Sequence, residues 1–225
     1  MTKFFLPTAV TLSLFMGGCA SNKSLTSQQS GFLNEYSSLK QSPYDPTTLL
    51  YIAQDADFAS YDNVMVEPVK IIANNEQIKA NKGLLKEMSE YMTQKVRNSI
   101  RQNPNFKLVT KPQANTAKVE FALTAVTVSH DDREVYQYIP VAFVITEAAR
   151  ASGASDKNAR IVVEVRITDA NSAKVLGRAV SSQKGEQVAI DQEKKLTLDL
   201  LKPALDKIAK RVNERLNEMK KKIKK

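Results

Sequence analysis

The 225-residue, 25.0 kDa chain has 42% hydrophobic and 25% charged residues, with 7 Gly and 8 Pro. That composition excludes collagen-like, mucin-like and low-complexity classes and accommodates one domain or two. One Cys and one His exclude a disulfide framework and leave too few ligands for structural zinc or a Cys/His nucleophilic pair. The formal net charge of +9 is concentrated at the C-terminal end.

In chain order, residues 1–18 place Lys3 before an apolar stretch that closes on the small pair Gly17-Gly18, the pattern of an export signal to be excluded from the fold. The segment Leu14-Phe15-Met16-Gly17-Gly18-Cys19 resembles the lipobox of bacterial lipoproteins. That resemblance implies cleavage between Gly18 and Cys19, acylation of Cys19 and a membrane anchor. The competing reading is an ordinary signal peptide cut near Ala20, which leaves a soluble secreted chain. Ala20 and Ser21 follow the cysteine with no Asp, which by resemblance to enterobacterial sorting implies the outer membrane, with the body facing the periplasm. Residues 19–30 hold one large apolar residue, Leu25, too few to repay ordering, and are expected to form a flexible tether.

Residues 31–225 are expected to form a single domain. Phe32, Leu33, Tyr36 and Leu39 suit one short helical face, and Pro43 and Pro46 then break the chain. Thr48–Ile52 reads as a short strand with a turn at Asp55-Ala56-Asp57, and Val64–Val69 as a strand that ends or bulges at Pro68, which supplies no ladder donor. Leu85, Met88, Met92, Val96 and Ile100 recur every three or four residues, predicting an amphipathic helix from Leu84 to about Arg101. Asn103-Pro104-Asn105 ends it, and strands follow at Phe106–Val109 and, by alternation, Ala117–Ser129. Residues 139–151 put Val141, Val144, Ile145, Ala148 and Ala149 on one face, a short helix that either packs as core or forms an exposed partner or lipid patch. Alternation over Arg160–Thr168, the turn Asp169–Ser172 and the run Lys174–Val180 predict a hairpin. A last helix from about Gln192 carries a stripe of Leu198, Leu201, Leu205, Ile208, Val212, Met219 and Ile223, with Pro203 near its start as a source of kinking. The expected fold is α+β: one mainly antiparallel sheet of about five strands, helices on one face, and a long basic C-terminal helix.

Residues 207–225 hold nine basic side chains, Lys207, Lys210, Arg211, Arg215, Lys220, Lys221, Lys222, Lys224 and Lys225, against Glu214 and Glu218. Without the leader the rest of the chain is close to neutral. Cations near a helix C-terminus favour its dipole and keep a face solvated. The same nine residues are also candidate contacts to an anionic surface, either phospholipid, at about 1 kcal/mol per Lys or Arg, or peptidoglycan. Nucleic acid is not an expected partner, since no aromatic residue follows Phe143 to interleave with the charges.

Reactive constellations are sparse. His130-Asp131-Asp132 is the one place where His and acids cluster, and three consecutive side chains do not readily converge on one ion. No Gly-x-Ser-x-Gly and no phosphate-cradling glycine loop occur. Acid pairs such as Asp55 with Asp57 or Glu35 with Asp45 are common in loops and do not by themselves indicate a glycosidase. No metal site and no cofactor are expected.

The blocks Gly31–Leu39, Leu50-Tyr51-Ile52, Ala56–Tyr61, Val64–Val69 and Asp169–Leu176 resemble a family of Gram-negative lipoproteins known as domain-of-unknown-function family 3313. The resemblance runs from about residue 31 to the final helix. It implies an envelope location, carries no catalytic residues, and makes Phe32, Tyr36, Phe58 and Tyr61 packing anchors of an N-terminal arm. The expected function is a non-enzymatic, outer-membrane-anchored module that binds an envelope partner. A tether to peptidoglycan or anionic lipid through the basic helix is the alternative, and a carboxylate-based hydrolase a remote third.

Overall fold

A computed structural model describes residues 29–129, 157–188 and 197–222. The leader, Cys19, the His130 cluster, the 139–151 segment, Lys224 and Lys225 lie outside these residues.

Among the described residues eight strands form one sheet in the order β1-β2-β8-β7-β6-β3-β5, with β4 pairing β6 off this path. The strands are β1 (Lys40–Ser42), β2 (Asp45–Ile52), β3 (Asn63–Val66), β4 (Lys70–Ile71), β5 (Lys107–Val109), β6 (Thr116–Ser129), β7 (Lys157–Asp169) and β8 (Val175–Val188). The expectation of about five mainly antiparallel strands is thereby corrected. β1, β2, β8, β7 and β6 pair antiparallel, whereas β3 runs parallel to both β5 and β6, and β4 parallel to β6. Parallel neighbours require a long crossover, and the helix α1 (Asn75–Arg101) supplies it between β4 and β5. The α+β class and the single domain stand.

Period-2 alternation assigns the two faces. Val119, Phe121 and Leu123 of β6, with Ile161, Val163 and Ile167 of β7, meet the helices in the larger core. Met88, Met92, Val96 and Ile100 of α1 are fully buried there, as are Leu201 and Leu205 of α2 (Leu198–Lys222). Leu198, Val212 and Met219 pack at its margin, and Pro203 lies inside α2. Both helices thus cover one face.

α1 starts at Asn75, ten residues before the apolar stripe opens at Leu85. Its first turns are exposed and joined to the rest across a non-helical Asn81 (φ −127, ψ 20). Burial begins at Leu85, where the periodicity begins, so the stripe marks the packed part of the helix and not its end.

β3 stops before Pro68, and the backbone groups freed there are satisfied by α1. Arg97 donates to the Val66 carbonyl through Nε (3.2 Å) and Nη2 (2.8 Å). The Val69 amide donates to Thr93 Oγ1 (2.9 Å), and Ser89 Oγ donates to the Val69 carbonyl (2.5 Å). Helix α1 and the strand break between β3 and β4 are therefore one unit.

Residues 32–39 form turns rather than the expected short helix. Their apolar side chains serve another end: Phe32, Leu33 and Tyr36 are buried with Leu49, Ala122, Val162 and Val180 in a second core on the sheet face away from the helices. Phe58 and Tyr61 belong to the helix-side core. The four aromatic anchors therefore divide between the two faces.

Candidate functional site

The second face carries charge as well as apolar residues, because alternation in β7 turns Glu164 and Arg166 away from the helices. Glu164 is 1% exposed. It accepts from Tyr36 Oη (2.7 Å) and Ser30 Oγ (2.8 Å), both on Oε2. Burial pushes its carboxyl above the ordinary value, although these two hydrogen bonds oppose the shift. Burial also pushes the Tyr36 hydroxyl up.

One ladder position further on, Arg166 and Arg178 stand directly opposite each other in β7 and β8, an unfavourable pairing of like charges. Each is neutralised separately. Arg166 pairs with Glu120 (3.0 Å), donates to the Phe32 carbonyl (3.0 Å) and stacks on the Phe32 ring (5.0 Å). Arg178 pairs with Glu35 (3.3 Å) and lies over Tyr51 (5.2 Å). Against the cost of burial, Arg166 holds the Glu120 carboxyl low, aided by Lys118 and Lys70. Hydrogen bonds from Ser37 and Ser38 lower Glu35 to about 2. The arm from Ser30 to Ser38 is thus fixed to the central strands by a polar network beneath an apolar cap.

On the helix side, β2, β7, β8 and α2 enclose a cavity of about 130 Å³. Its walls are Leu50, Val163, Val165, Ala179, Ile208, Val212, Leu216 and Met219. The row of β8 that faces α2 there is small, Gly177, Ala179 and Ser181, and its short side chains leave space beneath the helix although α2 lies closer to β8 than to β7. Gly177 lies close beneath β2: a Cβ there would stand 3.2 Å from the Tyr51 carbonyl oxygen, a tight contact that β2 would have to ease. Polar groups line one end. Asp45 accepts from the Thr47 amide (2.9 Å), Thr47 Oγ1 (2.6 Å) and Thr48 Oγ1 (3.0 Å), and Arg211 pairs with its Oδ2. Gln183 Nε2 donates to Thr47 Oγ1 (3.0 Å). Although burial disfavours its charge, Asp45 stays below the ordinary carboxylate range through these donors and Arg211.

The basic residues of α2 separate into two groups. Arg211 is bound to Asp45; Arg215 pairs with Glu218 (2.5 Å) and stacks on Tyr44 (4.9 Å). Lys220 holds Asp62 (2.7 Å), the Tyr61 carbonyl (3.0 Å) and the Asn105 carbonyl (3.2 Å) while lying over Phe106 (4.9 Å). These three fasten the helix to the body. Lys207, Lys210 and Lys221 are exposed, Lys210 standing 3.9 Å from Glu214. Lys222 is the last helical residue. Among the described residues the basic side chains of α2 do not form one free strip, since Arg211, Arg215 and Lys220 are engaged with the body.

Sequence reasoning missed Glu164, Gln183 and the cavity, and it read Asp45 only as a loop acid beside Glu35, whereas the structure gives Asp45 to Arg211 and Glu35 to Arg178. Charges at alternate positions of a strand read as a solvated face, and the signal against that reading was the apolar run Phe32-Leu33 with Tyr36, which needs a surface to cover. The cavity had a fainter signal in the small side chains of Gly177, Ala179 and Ser181.

Comparison with known proteins adds two relatives by sequence. The uncharacterized lipoprotein YdcL of Escherichia coli K12 is 24% identical over 211 residues, covering 92% of this chain and 94% of its own. The protein of the same name from E. coli O157:H7 matches equally. Among solved structures, the PelC dodecamer from Paraburkholderia phytofirmans aligns with a TM-score of 0.38 at 10% identity, over 77% of this chain and 96% of that one. The hypothetical protein CT253 from Chlamydia trachomatis aligns with a TM-score of 0.38 at 12% identity, over 70% and 94%. Those scores are too low to carry an argument. Residues 28–212, the arm, the whole sheet and the first half of α2, match the family described as "Protein of unknown function (DUF3313)", and the chain belongs to that family.

Proposed function

We propose that the protein is a lipid-anchored envelope protein that works by binding and not by catalysis. The leader 1–18 directs export, cleavage falls between Gly18 and Cys19, and acyl groups on Cys19 hold the chain in the outer membrane with its body in the periplasm. The observation that carries this reading is a coincidence: the lone cysteine follows a small-residue pair and an apolar leader, and a relative aligned over 92% of the chain is named a lipoprotein. Each buried CH₂ of an acyl chain contributes about 0.8 kcal/mol, so two or more chains make the attachment lasting. The geometry suits a load-bearing attachment, because the residues that follow the anchor, Ser30 to Tyr36, are tied to the central strand β7 through Glu164.

The test is fractionation of the native host carrying Cys19→Ala. The variant should leave the membrane fraction, and unchanged retention in the outer membrane would contradict the anchor.

A second reading, attachment to peptidoglycan or anionic phospholipid, is favoured by the exposure of Lys207, Lys210 and Lys221, with Lys222, Lys224 and Lys225 adjoining. Deleting 207–225 is not its test, since Ile208, Ala209 and Leu216 belong to the core. Charge reversal at Lys207, Lys210 and Lys221 keeps the packed face. It should abolish salt-sensitive binding to anionic vesicles or sacculi; undiminished binding would refute this reading.

A further inference from the structure

The cavity between α2 and the sheet has a lining that extends along both elements. Its lining runs from Ile208 to Met219 on α2, about 16 Å at the rise of a helix, and from Gly177 to Gln183 on β8, about 20 Å at the rise of a strand. A compact cavity of about 150 Å³ accepts one benzene; here 130 Å³ is drawn out along three helical turns. An alkyl chain has that shape and a ring does not.

The surroundings add polarity to the shape. Tyr44 and Ile52, two of the three exposed large hydrophobic side chains among the described residues, line the cavity at its rim. Exposed apolar groups beside an apolar cavity mark an entrance. Arg211 and Arg215, one turn apart on α2, also line it, each about one-third exposed. Asp45, the partner of Arg211, is nearly buried. Arg215 is held by Glu218, which also lines the cavity and is half exposed, so a ligand carboxylate would share or displace that surface pair, and the exposed Lys207, Lys210 and Lys221 supply the excess positive field around it.

We infer that this cavity binds one alkyl chain of a free anionic amphiphile of the fatty-acid class, the chain lying over Ala179 between α2 and β8 and the carboxylate facing Arg211 and Arg215. The site takes a lipid from outside the chain and not the acyl group carried by Cys19. It does not rest on the anchoring reading: a chain with an unmodified Cys19 would end that reading and leave this one standing.

The test uses the purified full chain in phospholipid nanodiscs with a diazirine analogue of palmitic acid as probe. After irradiation, adducts are mapped by mass spectrometry. Saturable adducts on the peptides bearing Leu50, Ala179 and Val212, displaced by unlabelled palmitic acid, are the expected result. Ala179→Phe and Val212→Phe fill the cavity from the sheet side and the helix side in turn. Either, if its circular dichroism and melting match the parent, should lose those adducts. Absence of cavity adducts in the parent chain, or their persistence in a folded filled variant, would overturn the inference. Cavity adducts that appear only with Cys19→Ala would overturn it too, since the native occupant would then be the chain's own acyl group.

Discussion

At the residue scale the buried carboxylates Glu164 and Asp45 behave oppositely, and the difference lies in their donors. Asp45 has a guanidinium and a set of hydroxyl and amide donors; Glu164 is met by neutral hydroxyls, chiefly those of Tyr36 and Ser30, and by no cation among the described residues. A carboxyl whose folded pKa is raised above its ordinary 4.5 contributes stability that is fully present below that value and is lost as pH rises through the folded pKa. Asp45 and Glu120, both lowered, contribute stability that is lost as pH falls through their folded pKa values. Glu164→Gln keeps an acceptor for Tyr36 and Ser30 without the charge. Its melting temperature relative to the parent should therefore increase as pH rises from 4.5 towards neutrality. A difference between the two proteins that stays constant across this range would show that Glu164 carries no linked proton.

At the element scale, helix α1 is built on four side chains with no exposure, Met88, Met92, Val96 and Ile100. Met92→Ala removes a thioether from the centre of that row and should cost about 2–5 kcal/mol, the range for large-to-small core changes. Chemical denaturation measures it, and a loss under about 1 kcal/mol would mean that the helix repacks freely. The long elements were legible beforehand because their patterns repeat. The stripe of α1, the alternation in β6 and β7 and the turn at Asp169 each state a period over many residues. Of the short elements, β3 and β5 were legible as strands at Val64–Val69 and Phe106–Val109, whereas β4, with two residues, is too short to show a period, and the parallel pairing of all three depends on where α1 carries the chain. The same limit hid the arm. Phe32, Leu33, Tyr36 and Leu39 satisfy a helical spacing by number, but their burial is dictated by the β7 and β8 surface they cover, and no local pattern describes that surface.

At the scale of the whole molecule, the sheet is closed on both faces by segments from opposite ends of the described chain. The arm from Ser30 covers one face, and α2 covers the other with α1. Tyr91 and Lys95 of α1 reach Asp206 of α2 (2.8 and 3.1 Å). Asn103, just past α1, reaches Asn213 and Asn217, so the two helices are joined at several points. Truncation after Asp206 removes Ile208, Ala209 and Leu216 from the core together with the Asp45 and Asp62 ion pairs. It should abolish the cooperative thermal transition, whereas charge reversal at Lys207, Lys210 and Lys221 should leave it within a few degrees of the parent, as surface changes do. A truncated chain that still melts cooperatively would show that the second half of α2 is an appendage.

The anchoring account stands most directly on the chemistry of one atom, Cys19 Sγ. The decisive measurement is the mass of the N-terminal peptide of the mature protein isolated from its own membranes. The account predicts a peptide that begins at Cys19 and carries a diacylglycerol thioether, with or without a further acyl group on the new amino terminus. A peptide beginning at Ala20 or beyond, or one that retains the leader with a free thiol at Cys19, would contradict it.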